Sequence, residues 1–238
     1  MKRILIVVIA SLFVFFVSSA YAVDLSQKPI TYNVDHSSIS ELPDNIYSKE
    51  RPLIIFFPGS GECFKIEKAW SFIKKYELYE YIDCDLLAVS VNTGHSKVSR
   101  DDWDSLAESL VEWINDRYED LSDSDKFPII VDCVSYGGVG GTYFVNRALK
   151  AGIWVDEINY LDAACTDTVT ISQLEKYLNK GIWVNVYACT SGAEVSVNGR
   201  NLIDYFDGER YFYGKVLKTD HGRVLHDAIY EDGLHSTD

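Results

Sequence analysis

Short apolar runs rich in β-branched residues alternate with longer amphipathic stretches along most of the chain. The runs are Pro52–Phe57, Leu86–Val91, Pro128–Asp132, Glu157–Leu161, Ile182–Cys189 and the Tyr/Phe/Val-rich Arg210–Thr219. Most are apolar at successive positions rather than at every second one. That pattern predicts strands covered on both faces, the mark of a parallel sheet under helices. Between them the periodicity predicts helices over Glu67–Tyr76, Trp103–Tyr118, Gly138–Ala151, Ile171–Asn179 and Gly222–Glu231. In the second, Leu106, Leu110, Trp113 and Ile114 recur at i, i+4, i+7 and i+8 and form one apolar face. Strand–helix alternation of this kind predicts an α/β fold, a mostly parallel central sheet with helices on both faces. Residues 192–209 lack such a pattern and read as an irregular loop. Gly, Ser, Asp and His gather just after the strand C-termini, where such sheets place their ligands.

The first 22 residues have a different character. Lys2-Arg3 precedes the apolar run Ile4–Val17, and Ala20-Tyr21-Ala22 fits a small-x-small cleavage site. Fourteen residues in a helix span only about 21 Å, short of a hydrocarbon core. A secretory signal peptide is expected over residues 1–22, followed by one domain over 23–238 that is secreted or periplasmic with no stable membrane anchor. The chain carries 22 basic and 36 acidic residues, a net charge of −14. So acidic a surface repels phosphate backbones, and no nucleic-acid partner is expected. Five cysteines, Cys63, Cys84, Cys133, Cys165 and Cys189, leave at least one thiol free whatever disulfides form, and no two are spaced for zinc.

The chemistry concentrates in three turns. Cys133-Val134-Ser135-Tyr136-Gly137-Gly138 follows an apolar strand and opens a helix. A nucleophile elbow needs that setting, with small residues two before and two after the serine because backbones crowd there. Pro58-Gly59-Ser60-Gly61 follows an earlier strand, so the Ser60 and Tyr136 amides are candidates for an oxyanion hole. Asp220-His221-Gly222 lies past the last strand, where an imidazole can reach over the sheet edge toward Ser135. Of the other histidines, His226 sits inside a helix, His235 in a polar tail, and His95 after a strand at the pocket edge.

These motifs resemble the α/β-hydrolase superfamily of esterases and lipases, over most of residues 50–235. The resemblance rests on strand–PGSG, strand–CVSYG–helix and strand–DHG, with Cys133 in place of the first elbow Gly and Pro58 where many members carry His. It implies a minimal hydrolase fold without a cap domain, a serine nucleophile, an acyl-enzyme, and a small-molecule ester as substrate. Peptide or thioester cleavage stays open, as does a non-catalytic binding or surface-interaction protein on the same fold. No metal or cofactor is implied. The acid is either Asp162, in a Leu-Asp-Ala stretch like that of pancreatic-type lipases, or Glu194, one strand later, with Asp167 a third choice. An open pocket mouth is expected between residues 92–102 and 190–209, walled by Tyr136, Trp103 and Tyr205, and the overall acidity suggests neutral short-chain esters.

Overall fold

The computed structural model describes residues 30–35, 51–60, 65–76, 78–79, 82, 84–91, 99–118 and 126–235; for 30–35, 117 and 118 it describes the backbone alone. The expected signal peptide, His36, His95, Glu62 and Cys63 lie outside these residues. The strands are β1 (Ile30–Asp35), β2 (Leu53–Phe57), β3 (Asp85–Ser90), β4 (Ile129–Val134), β5 (Glu157–Leu161), β6 (Trp183–Cys189) and β7 (Phe212–Leu217). The helices are α1 (Ile66–Lys75), α2 (Arg100–Tyr118), α3 (Gly137–Lys150), α4 (Ile171–Leu178), α5 (Glu194–Phe206) and α6 (Val224–Tyr230).

The strands form one sheet in the order β1-β3-β2-β4-β5-β6-β7, and every pairing is parallel. The expectation of an α/β hydrolase-like architecture with a parallel sheet agrees with this arrangement. β2, β3 and the inner residues of β4 to β6 are buried because both sheet faces are covered. Leu53, Ile55, Phe57, Val131 and Cys133 point to one face, where α2, α3, α4 and α5 pack. Ile54, Phe56, Leu86, Ala88 and Val134 point to the other, under α1 and α6.

Chain direction across the sheet reverses between β2 and β4. From β2 the chain moves outward to β3, then returns to β4 on the opposite side of β2. The loops leaving β2 and β4 therefore part in opposite directions and open a crevice at the strand C-termini.

Two features depart from the expected organisation. Residues 194–206 are helix α5 rather than an irregular loop, and β1 adds an edge strand beside β3. The apolar face of α5 is Val195, Leu202 and Phe206, interrupted by Gly199. Gly199 sits there because a Cβ would stand 3.0 Å from Ala188 Cβ, so a close helix–strand approach replaces the missing hydrophobe and hides the periodicity.

Candidate active site

Ser135 stands one residue beyond β4, with φ 51°. A non-glycine residue in this left-handed region is strained, and such strain persists where the surrounding structure enforces it. Here the enforcement comes from α3. A Cβ on Gly137 would lie 2.1 Å from the Phe57 carbonyl oxygen, and one on Gly138 would lie 1.9 Å from the Ala163 carbonyl oxygen. Only glycine lets the helix meet the ends of β2 and β5 so closely. Cys133, two before the serine, fits for a related reason: its Sγ fills the space that a Cβ on Gly141 would occupy, at 2.2 Å.

Asp162 repeats the geometry one strand along. It follows β5, has φ 49°, and is buried. Its amide donates to the Tyr187 carbonyl of β6 at 2.7 Å, so the turn is pinned to the neighbouring strand. His221 arrives from the turn between β7 and α6 and places Nδ1 2.6 Å from Asp162 Oδ2. Three further groups converge on the same carboxylate. The Cys189 amide donates to Oδ1 at 3.2 Å, while Ser196 Oγ and Cys189 Sγ donate to Oδ2 at 2.8 and 3.0 Å. Burial opposes ionisation, but the donors from His221, Cys189 and Ser196 outweigh it and hold the Asp162 carboxyl below the usual carboxylate range. The imidazole is fixed through Nδ1, stands 41% exposed and lines the cleft.

Ser135, His221, Gly59 and Ser60 line one cavity of about 630 Å³ at the reversal point of the sheet. Tyr136 directly precedes α3, so its amide belongs to the first turn of that helix, where N–H groups carry partial positive charge. The structure thus brings Ser135, His221 and Ser60 to one cavity, holds Asp162 on His221, and sets Tyr136 beside Ser135.

Glu194 is not brought to His221. It lies in the first turn of α5 and accepts a hydrogen bond from Thr166 Oγ1, because the segment read as a loop is a helix that carries the carboxylate away from the cleft. Asp167 pairs with Arg100. The expected walls also differ. Trp103 is fully buried against Phe57 and beneath Gly140, and Tyr205 lies on α5, 56% exposed, with its hydroxyl 3.5 Å from Glu175. Tyr136 packs against the core. Residues 92–98 of the expected mouth lie outside the described residues; the described wall comes from α1, with Lys68, Ser71, Phe72 and Lys75, and from Tyr76 just after it.

Ser196 and Cys189 escaped the sequence reading. The signal that could have found them is the i, i+4 pair Ser196 and Arg200 on α5. Arg200 Nη1 donates to the Cys189 and Ser191 carbonyls at 2.5 and 3.0 Å and so ties the helix to the end of β6. None of the described thiols Cys84, Cys133, Cys165 and Cys189 is in a disulfide, and all are buried. Burial pushes Cys165 up to about 12 and raises Cys133 well above the usual thiol range, which removes both as thiolate nucleophiles. Among the described residues no cluster suited to a metal ion occurs, and no helix is long and apolar enough to cross a membrane.

No family model matches the sequence, and no curated protein matches it. Among solved structures the chain is similar to a lipase-esterase related protein from Clostridium acetobutylicum, at 15% identity over 79% of this chain and 94% of that one, with a TM-score of 0.46. It is also similar to the NocB thioesterase domain of the nocardicin cluster, at 13% identity over 83% and 91% with a TM-score of 0.41. A third is the Vlm2 thioesterase domain bound with a dodecadepsipeptide, at 11% identity over 74% and 87% with a TM-score of 0.42. The strand order, the two strained turns and the crevice between β2 and β4 describe an α/β-hydrolase-like fold.

Proposed function

We propose that the protein is a serine hydrolase that cleaves carboxylic esters through an acyl-enzyme, with Ser135 as nucleophile, His221 as general base and Asp162 as the orienting acid. The observation that carries this reading is the 2.6 Å contact between His221 Nδ1 and the buried Asp162 carboxylate, in a cleft whose floor holds a strained serine. A carboxylate on Nδ1 fixes the tautomer that presents Nε2 as a proton acceptor and stabilises the imidazolium formed when Ser135 attacks. The Ser135 proton passes to His221 Nε2 and then to the leaving alcohol. Water deprotonated by the same nitrogen attacks the acyl carbon and restores the free serine. The Ser60 and Tyr136 amides serve the tetrahedral oxyanion. Thioesters are cleaved by the same steps with a thiol leaving group.

A fluorophosphonate probe tests the assignment. The expected result is covalent labelling of the native protein that disappears in S135A, together with turnover of at least one short ester. Folded protein that neither labels nor cleaves any ester overturns the proposal in favour of a binding protein on the same fold. The proposal includes export: processing after Ala22 in a secreting host is the expected result, and retention of an intact leader in the cytoplasm would refute it.

A further inference from the structure

The described wall of the cavity differs in charge from the chain as a whole. The chain as a whole carries −14, yet among the described residues lining the cavity none is acidic and two, Lys68 and Lys75, are cationic. α1 sets them seven residues apart with Ser71 and Phe72 between, at i, i+3, i+4 and i+7, which is one face of a helix. Two turns separate the ammonium-bearing positions by roughly 10 Å along the axis.

Lys75 is also positioned. Its Nζ lies 2.9 Å from Tyr76 Oη and 4.6 Å from the centre of that ring. Tyr76 Oη in turn stands 2.7 Å from where a Cβ on Gly222 would be, one residue from His221. The chain of contacts from ammonium to phenol to the glycine beside the imidazole places Lys75 at the His221 side of the cavity. Lys68 lies further along the same wall.

From this wall we infer that the substrate is anionic: an ester or thioester bearing a negatively charged group, such as a carboxylate, several bonds from the reacting carbonyl, which Lys68 and Lys75 bind while Phe72 and Tyr76 cover the intervening carbon chain. This rests on the hydrolase reading above and refines it. A strongly acidic protein repels anions at long range, so two cations on the wall of the reactive cleft, with no carboxylate among its described lining residues, are the local reversal needed to admit one. It replaces the neutral ester expected from net charge alone, because overall charge says nothing of how charge is distributed around a cleft.

The test compares mono-4-nitrophenyl glutarate with 4-nitrophenyl butyrate, and 4-carboxyphenyl butyrate with 4-carbamoylphenyl butyrate. The first pair places the charge on the acyl side and the second on the leaving group. The ratio of kcat/KM within each pair is read for the native protein, K68Q, K75Q and the double variant. The native protein is expected to prefer the anionic member of one pair by about five- to tenfold, as two partly solvated ion pairs provide. That ratio should fall in each single variant and approach one in the double. Calorimetric binding of glutaric acid monoanilide against N-phenylbutyramide by S135A supplies a readout that needs no turnover. Tighter binding of the acid that requires the two lysines supports the subsite even where neither ester is cleaved, an outcome that would sink the hydrolase reading alone. Equal affinities, equal rates in both pairs, or a preference that survives the double variant overturn the subsite and leave the hydrolase reading standing.

Discussion

Among the described residues, His221 and His235 bind aspartates on or just past a strand, and the two pairs are built for opposite ends. His221 meets Asp162 at 2.6 Å, and His235 meets Asp132 at 2.9 Å. His221 is held through Nδ1 and stands 41% exposed at the edge of a cavity. His235 is held through Nε2, is only 2% exposed, and encloses its Nδ1 with no hydrogen-bond partner among the described residues. Asp162 lies just past its strand in a strained turn, whereas Asp132 lies within β4. Asp132 also accepts from Tyr79 Oη at 2.6 Å and Asn159 Nδ2 at 2.7 Å, and Asn159 Oδ1 accepts from Asn185 Nδ2 at 2.7 Å, a polar row across three adjacent strands. An aspartate–histidine contact is therefore no signature of chemistry. Chemistry requires that the second imidazole nitrogen be left facing a space that a reactant can enter; without that space, the same pair fastens the chain end to the sheet.

The sharpest way to break this comparison is to disable each pair in turn. D162N is expected to lower kcat by about 10³–10⁴-fold, by presenting the wrong tautomer, while thermal unfolding shifts little by comparison. H235A should do the reverse. It leaves a buried carboxylate without its cation, at a cost of about 3–5 kcal/mol. Calorimetry should record that as a fall in Tm of roughly 6–20 °C, with kcat on the remaining folded protein within about threefold of native. If H235A abolishes turnover in folded protein, or D162N does not, the two pairs have been assigned the wrong way round.

A smaller effect sharpens the contrast in protonation. Burial alone would discharge His235, but Asp132 and, more weakly, Glu157 outweigh it and raise its pKa. The Asp132 carboxyl is lowered against the same desolvation by His235, Tyr79 and Asn159. A histidine raised on folding stabilises fully below its unfolded value and loses that contribution as pH rises through the folded one. A lowered aspartate stabilises above its unfolded value and loses that contribution as pH falls through the folded one. The stability gap between native protein and H235Q should thus be widest between about pH 4 and 6.5 and narrow on either side. A gap that does not vary with pH in chemical denaturation would show that the pair is not ionised.

The smallest expected effects concern what supports each turn. S196A removes one of the donors to Asp162 and should cost about 1–2 kcal/mol of stability, with a several-fold loss of kcat. G141A should cost about 1–3 kcal/mol by driving a methyl into Cys133 Sγ. Pairing G141A with C133A should recover part of that loss, and failure of the recovery would mean that Cys133 does not occupy the position argued for it.

Much of this was legible in the sequence because it is local. The six interior and C-terminal strands announce themselves as apolar runs, and Ser135, Asp162 and His221 each sit in a turn just past one of them. What stayed hidden depended on contacts between distant segments. His235 lies in a stretch that reads as a polar tail, and its partner Asp132 is 103 residues away. Helix α5 was masked by Gly199, a residue that hydropathy counts as neutral and packing uses as a close approach. Glu194 and Asp162 were inseparable by spacing, since either carboxylate follows a strand; only the placement of α5 removes one and gives the other its donors. The contribution of α1 to the cavity wall stayed hidden for the same reason, because nothing local in α1 says that its lysine face will line the same cavity as the end of β4.

The glycine helix that follows Ser135 has one more consequence. Because α3 abuts main-chain carbonyl oxygens at the ends of β2 and β5 with no side chain between, the hydroxyl is registered to main chain rather than to adjustable packing. Remodelling the core behind it has little leverage on where the oxygen sits, and α1, which lines the same cavity as Ser135, is the part of the molecule that laboratory evolution can vary most freely to change what is accepted there.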